Sequence, residues 1–353
     1  MSVDIKMDSH KLIYHPETVS RWLNGENIYP IEIEISPSGV CNHRCIFCAV
    51  DYIGYQANFL KKDIILRDIV QMQKKGLKSV ICSGEGEPLL NKDMPDIANG
   101  IKAAGVDVAM STNGVLFTKE KLLDCLAAFT WVRYSVAAFQ EKIYDKIQRG
   151  GNDDFHQMKD NLAEAVRIKK DKHLKTTLGV QCLLLPDNAF QIIDMAKELC
   201  EMGLDYLSIK PYSQHLHSQN VFQINYNEML ELEQEIKQYE NERFSVYFRA
   251  NTMKKLNHEK EYKQCLGLPF MTHIDAKGNV WPCVAHIGTD ELCYGNINEE
   301  TFEEIWEGPG RTEVVKKLGE LNVNEVCRQA CRLDEINKYL DALVHPGEHV
   351  NFI

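Results

Sequence analysis

Three cysteines fall within one short run, Cys41-Asn42-His43-Arg44-Cys45-Ile46-Phe47-Cys48, with the spacing C-x3-C-x2-C. That spacing is compact enough for one loop to wrap three thiolates around a metal cluster. The number three carries the chemistry. A four-iron cubane held by three cysteines keeps one iron open, and an open iron can chelate the amine and carboxylate of an exogenous amino acid. Structural zinc asks for four ligands, so zinc here would need His43 or a distant residue to complete its shell. A second set is spread along the C-terminal part: Cys265, Cys283, Cys327 and Cys331. A hairpin with one cysteine before it and another at its end, in Gly278-Asn279-Val280-Trp281-Pro282-Cys283, joins a later C-x3-C pair. Together they can close a four-thiolate shell, which suits an electron-transfer cluster or a four-cysteine zinc site. Of the twelve cysteines, the remaining five, Cys82, Cys125, Cys182, Cys200 and Cys293, are scattered singles.

These residues need elements to hold them. Ile31 to Ile35 alternates as a strand does, with Pro30 and Pro37 at its ends, and the first cysteine run follows in the next loop. Apolar strands and helix-period segments then take turns. Strands are expected near 79–83, 106–111, 131–136, 177–185 and 206–210, with helices near 94–104, 119–128, up to 170, 189–202 and 227–242. Six βα units imply an α/β fold, a partial (β/α)6 barrel whose chemistry sits at the carboxyl ends of its strands. Beyond 250 the pattern changes to a hairpin (271–275 and 279–283) and short helices, a small C-terminal hairpin-and-helix iron-sulfur domain. The expected organisation is an N-terminal extension (1–30), the barrel (31–250), the cysteine-bearing domain (251–345) and an irregular tail (346–353).

Bulk properties narrow the class. A formal charge of −11 and a pI near 5.6 leave no general cationic surface, so neither nucleic acid nor an anionic membrane is an expected partner, although a basic patch inside a cleft is compatible with them. No apolar run approaches the roughly 18 residues of a membrane span, and the start lacks a basic region followed by an apolar stretch. A cytoplasmic protein is expected, and in a reducing compartment the cysteines read as metal thiolates before disulfides.

With Phe47 just before its last cysteine, the first run resembles the signature of the radical S-adenosylmethionine superfamily. The resemblance implies that Cys41, Cys45 and Cys48 hold a SAM-binding [4Fe-4S] cluster and that Phe47 packs near the adenine. Ser83-Gly84-Glu85-Gly86-Glu87-Pro88 follows the second strand, where the superfamily carries a Gly-Gly-Glu-Pro turn; Glu85 replaces the first glycine, while Gly86, Glu87 and Pro88 keep their places. Its glycine lets backbone carbonyls approach the cofactor's ammonium. Ser111 and Asn113 after the third strand, Ser135 on the fourth, and Arg149 are the remaining candidates for S-adenosylmethionine contacts. The second cysteine set resembles the auxiliary-cluster extension called SPASM, in its shorter twitch form with a single four-cysteine [4Fe-4S] cluster. Gly295-Asn296-Ile297 and the segment 301–306 look like the part between its halves.

The resemblance implies reductive cleavage of S-adenosylmethionine to a 5'-deoxyadenosyl radical, with electrons from a flavodoxin- or ferredoxin-like donor. Single-auxiliary-cluster members similar to 2-deoxy-scyllo-inosamine dehydrogenase oxidise an alcohol on a sugar-like ring. A small sugar, aminosugar or cyclitol substrate is therefore expected, the more so because only about thirty residues precede the first strand, too few for a peptide-docking domain. A ribosomal-peptide maturase is the second enzyme reading, and a noncatalytic iron-sulfur or zinc protein is the alternative of another class. Among spare residues, Cys182 is a candidate hydrogen-atom donor for an epimerase, against plain core packing. Lys210 and Tyr212, with His215 and His217 nearby, are candidates for substrate binding or proton transfer.

Overall fold

The computed structural model describes residues 9–256 and 258–352; the first part of the N-terminal extension, before residue 9, lies outside the described residues. The six expected strands form as β1 (Glu32–Ile35), β2 (Ser79–Cys82), β3 (Asp107–Thr112), β4 (Phe129–Ser135), β5 (Thr177–Leu184) and β6 (Tyr206–Pro211). A seventh, β7 (Ser245–Phe248), was not expected. Helix α1 (Pro16–Leu23) precedes the sheet. The strands are then followed in turn by α2 (Lys62–Lys75), α3 (Met94–Ala103), α4 (Lys119–Cys125), α5 (Glu141–Gln148) with α6 (Asp154–Asp171), α7 (Ile192–Met202), α8 (Leu232–Lys237) and α9 (Ala250–Lys255). The helical stretch expected through residue 170 is two helices, because Arg149 turns left-handed at φ 49° and two glycines follow. The helix expected over 227–242 shrinks to a 3-10 turn and α8.

Neighbouring strands from β1 to β7 are all parallel, as helix crossovers require. The pleat gives each strand two faces. Val80 and Cys82, Val108 and Met110, Val132 and Tyr134, Val180 and Cys182, and Leu207 and Ile209 face the helices and form one continuous core. Each such buried aliphatic side chain contributes about 1.5–3 kcal/mol. The alternate residues face the inside of the curled sheet and are far more polar: Ser111, Arg133, Ser135, Gln181, Ser208 and Lys210. Near the strands' amino ends Tyr206 lies over Gly179, where a Cβ would come within 2.2 Å of its ring, and meets Tyr247 edge-on.

The C-terminal segment forms β8 (Met271–Ile274), β9 (Asn279–Trp281) and β10 (Gly295–Asn296), then α10 (Phe302–Glu307), α11 (Pro309–Glu320), α12 (Val323–Val326) and α13 (Asp334–Val344). The hairpin forms where expected, yet it does not stand apart from the barrel. Strand β8 pairs parallel with β1, from Glu32↔Met271 to Ile35↔Ile274, so one ten-stranded sheet runs β10-β9-β8-β1-β2-β3-β4-β5-β6-β7. Trp306 anchors this side by donating its indole N–H to the Ile28 carbonyl at 2.9 Å. Among the described residues, no helix is long and apolar enough to cross a membrane.

Candidate active site

The first cysteine run lies in the loop after β1, at the carboxyl end of the sheet, and its backbone is pinned at several points. The Arg44 N–H donates to the Gln148 and Arg149 carbonyls, and the Ile46 N–H donates to the Ile147 carbonyl at 2.9 Å. From the loop after β6, Ser218 and Asn220 both donate to the Cys48 carbonyl. Burial pushes the Cys41 thiol up to about 12, with the Glu87 carboxylate adding to it. Burial, and then Cys41 and Cys48 beside it, also raise Cys45. Three partly buried thiols that oppose one another's ionisation form a stable thiolate set once cations sit among them, which is what a cluster of irons supplies.

His43 does not complete a zinc shell. The Gln148 side-chain oxygen accepts from the Ala137 N–H at 2.7 Å, which fixes its amide nitrogen as the donor to His43 Nδ1 at 3.3 Å. His43 Nε2–H then points at Asp154, 3.0 Å away. Both ring nitrogens are occupied, and burial lowers the imidazole's pKa and keeps it neutral. Among the described residues no three Cys, His, Asp or Glu side chains converge on a point where one metal ion could sit. A cubane does not ask for that convergence, since each thiolate takes a different iron.

The turn after β2 packs directly on this loop. A Cβ on Gly86 would lie 2.3 Å from the Ser38 carbonyl oxygen and 2.4 Å from that of Val40, so only glycine lets the two backbones approach this closely. Glu87 proves to be a strut. Its carboxylate accepts from Thr112 Oγ1 (2.6 Å), the Asn113 N–H (2.8 Å) and the Leu89 N–H (3.2 Å), which ties β2 to β3. Glu85 turns its side chain away, accepting from the Ala276 N–H in the β8–β9 turn at 2.9 Å, and burial raises it to about 7. Only their backbones remain for the cofactor role expected of Glu85 and Glu87. Asn113 donates to Asn42, inside the cysteine run, at 2.6 Å. Ser111 Oγ accepts from Arg133, and Ser135 gives its carbonyl to Gln148. Arg149 is an exposed left-handed cap whose carbonyl holds Arg44. Phe47 packs with Ala137, Ile147, Leu185 and Tyr212.

Two expectations are corrected. Cys182 is fully buried in phase with Val180 and Leu184, so it faces the helices rather than the lumen. Its thiol lies 3.5 Å from the Ala137 carbonyl on the helix-facing side of the sheet, so the S–H, which burial preserves by raising the thiol to about 12, is turned away from the lumen. Tyr212 is also structural: its hydroxyl donates to the Asn220 carbonyl at 2.6 Å, bracing the loop that holds Cys48. Lys210, by contrast, does face the lumen. Burial, and then Arg133, Arg328, Arg249 and Arg332, lower its pKa well below the usual lysine value.

The four cysteines of the second set lie near one another. Cys265 and Cys283 are raised by burial and, after it, by Cys331, so these three thiols are neighbours. The Cys327 S–H donates to Cys331, which raises Cys327 and lowers Cys331. Asn337 on α13 donates to Cys265 Sγ at 3.4 Å, and the Leu333 N–H donates to Cys331 Sγ at 3.4 Å. Cys293 stands apart, its thiol on the Gly295 carbonyl.

The loop carrying Cys327 and Cys331 also forms one wall of the lumen. Arg332 pairs with Glu34 at 3.0 Å and Glu32 at 3.4 Å, and the Ala330 N–H donates to Ser213 at 3.2 Å. Burial pushes the Glu34 carboxyl up, but Arg332, with His273 and Ser83, outweighs it and holds Glu34 at about 2. Between the two cysteine sets, Tyr52 stacks on His215 with centroids 4.9 Å apart and donates to the Ile287 carbonyl at 3.0 Å. Sequence reasoning did not single out Asn42, Tyr52, Arg328 or Arg332. One signal was available: in Cys327-Arg328-Gln329-Ala330-Cys331-Arg332 an arginine follows each cysteine.

Residues 35–188 match the radical SAM superfamily and residues 265–332 match the SPASM iron-sulfur cluster-binding domain. An AdoMet-dependent heme synthase from Methanosarcina barkeri is 28% identical over 310 residues, which span 79% of this chain and 81% of that protein. A GTP 3',8-cyclase from Limosilactobacillus fermentum is 32% identical over 148 residues, 40% of this chain and 43% of the relative. Streptococcus suis SuiB, solved bound to precursor peptide SuiA, has a similar fold, with a TM-score of 0.67 and 17% identity over 95% of this chain and 78% of SuiB. The chain thus carries a radical SAM domain, which implies a [4Fe-4S] cluster and S-adenosylmethionine, followed by a SPASM domain, which implies an auxiliary iron-sulfur cluster.

Proposed function

We propose, from the premise that a radical SAM domain and an auxiliary-cluster domain share one lumen in this chain, that the protein oxidises an alcohol of a small sugar, aminosugar or cyclitol-like substrate. When bound, the cofactors supply a 5'-deoxyadenosyl radical at the first site and an electron acceptor at the second. Cys41, Cys45 and Cys48 would hold the first cluster, with the Gly86 turn against them; Cys265, Cys283, Cys327 and Cys331 would hold the second. With both groups bound, the substrate's carbinol would lose a hydrogen atom at the first site, an electron toward the second, and its hydroxyl proton to solvent at the mouth. Gln181, Ser208 and Lys210 face that substrate, and Tyr52 with His215 shields it from water.

The observation that carries this reading is Arg332, next to Cys331, paired with Glu34 of β1: the loop of the second cysteine set walls the space in which substrate would react. An electron acceptor so placed serves oxidation better than a redox-neutral rearrangement. The test is anaerobic: protein reconstituted to about eight irons per chain is mixed with dithionite, S-adenosylmethionine and a panel of ring alcohols deuterated at the carbinol carbon. Deuterium in 5'-deoxyadenosine together with a carbonyl product is expected. Failure to form any 5'-deoxyadenosine from loaded protein would sink the enzyme reading.

A second reading, peptide modification, draws on the edge position of β7, beside which an extended peptide could add as a strand. SuiB, which was solved with a peptide, lends it a likeness in fold. Deuterium transfer from labelled peptides, and none from ring alcohols, would favour it.

A further inference from the structure

In a chain of net charge −11, the lumen gathers cations. Lys210 near the end of β6 and Arg133 on β4 both lie on the inward face of the sheet, and Arg328 and Arg332 from the second cysteine loop, with Arg249 after β7, are close enough to act on Lys210. Two carboxylates of β1, Glu32 and Glu34, are also there, and Arg332 pairs with both. Arg133 has only the Ser111 hydroxyl and the Trp131 ring as described partners. The Lys210 ammonium has no carboxylate within ion-pair distance among the described residues. Enclosed charges of one sign cost stability unless an opposite charge joins them. The lumen is therefore preorganised for a guest that supplies it.

We propose that Lys210 and Arg133 bind an oxyanion, a phosphate ester or a carboxylate, on the small-molecule substrate. The inference rests on the alcohol-oxidation reading for the substrate's size, and the site fixes its charge. Guanidinium and ammonium donors facing one space suit an oxyanion with several acceptor oxygens, and the low-dielectric walls strengthen each contact. Anchoring that group at Lys210 holds the remainder of the substrate between the two cysteine sites.

The test measures inorganic phosphate, pyrophosphate and citrate binding to the reconstituted protein by calorimetry, without reductant and with saturating S-adenosylmethionine, so that the cofactor's own carboxylate is already placed. Ionic strength is matched with chloride. The wild type should bind at least one anion about tenfold more tightly than Lys210→Met, and the exposed-surface variant Lys175→Met should bind like the wild type. Phosphate or pyrophosphate alone indicates a phosphate ester, citrate alone a carboxylate, and both a general oxyanion site; each supports the proposal. No binding to the wild type, equal binding to Lys210→Met, or release of S-adenosylmethionine by the anion would each overturn it. If Lys210→Met does not fold, Arg133→Met makes the same comparison. Because no turnover is involved, anion binding without 5'-deoxyadenosine formation would refute the enzyme reading alone, and the reverse result would refute only the oxyanion site.

Discussion

The two cysteine sets are built in opposite ways. The first lies within eight residues on one loop, Cys41 to Cys48, and borrows its rigidity from the barrel through Gln148, Arg149, Ser218 and Asn220. The second draws one cysteine from before the β8–β9 hairpin, one from its end and two from a later loop, with Asn337 of α13 on Cys265. A local loop with three donors and an occupied histidine leaves a ligand position for a guest. A set assembled from distant elements would close its own shell and double as a tertiary staple. One site should therefore govern chemistry, and the other both electron flow and the stability of the C-terminal half.

The sharpest break of that comparison is a pair of variants. Cys45→Ala should abolish 5'-deoxyadenosine formation and lower iron from about eight to about four per chain while the protein stays folded. Cys283→Ala should lose the same amount of iron, abolish the carbonyl product, and also lower the thermal midpoint, because three segments lose their common tie. Equal destabilisation in the two variants would erase the distinction. Next in size is Gly86→Ala, whose Cβ meets two carbonyl oxygens of the first loop. A cost of about 1–3 kcal/mol in urea unfolding and weaker S-adenosylmethionine binding are expected, with the second site's spectrum unchanged.

A pH effect tests the wall between the sites. Burial, with Arg328 and His217 adding to it, lowers His215 from 6.5 to about 4. The folded state thus holds the ring neutral. Its contribution is fully present above pH 6.5 and is lost as the pH falls toward 4, where the unfolded chain takes up a proton that the folded chain refuses. Thermal melts should show His215→Gln losing less stability than the wild type over that window; identical pH slopes would remove His215 from the account. The smallest effect belongs to Cys182→Ala, which should cost about 1 kcal/mol of packing and leave deuterium incorporation into product unchanged.

Much of this was legible in the sequence because it is local. The C-x3-C-x2-C run, the hairpin cysteines and six apolar strands each announce themselves within a few residues. Strand β7 did not, because Ser-Val-Tyr-Phe is four residues long and follows a polar stretch. Of the two readings of Cys182, core packing was the one readable in the sequence, since Leu178, Val180 and Leu184 share its phase while Gly179 and Gln181 take the other face. Tyr212 was not decidable from sequence: its partner lies in a loop whose return path only the fold fixes. The cationic lumen was hidden for the same reason, with its members scattered from Arg133 to Arg332.

The open-against-closed distinction is tested most directly by electron paramagnetic resonance of dithionite-reduced Cys283→Ala and Cys45→Ala proteins, each with and without S-adenosylmethionine. The account predicts a signal that shifts on adding S-adenosylmethionine when only the first site is loaded, and one that does not move when only the second is. A first-site signal indifferent to S-adenosylmethionine, or a second-site signal that responds to it, would contradict the account.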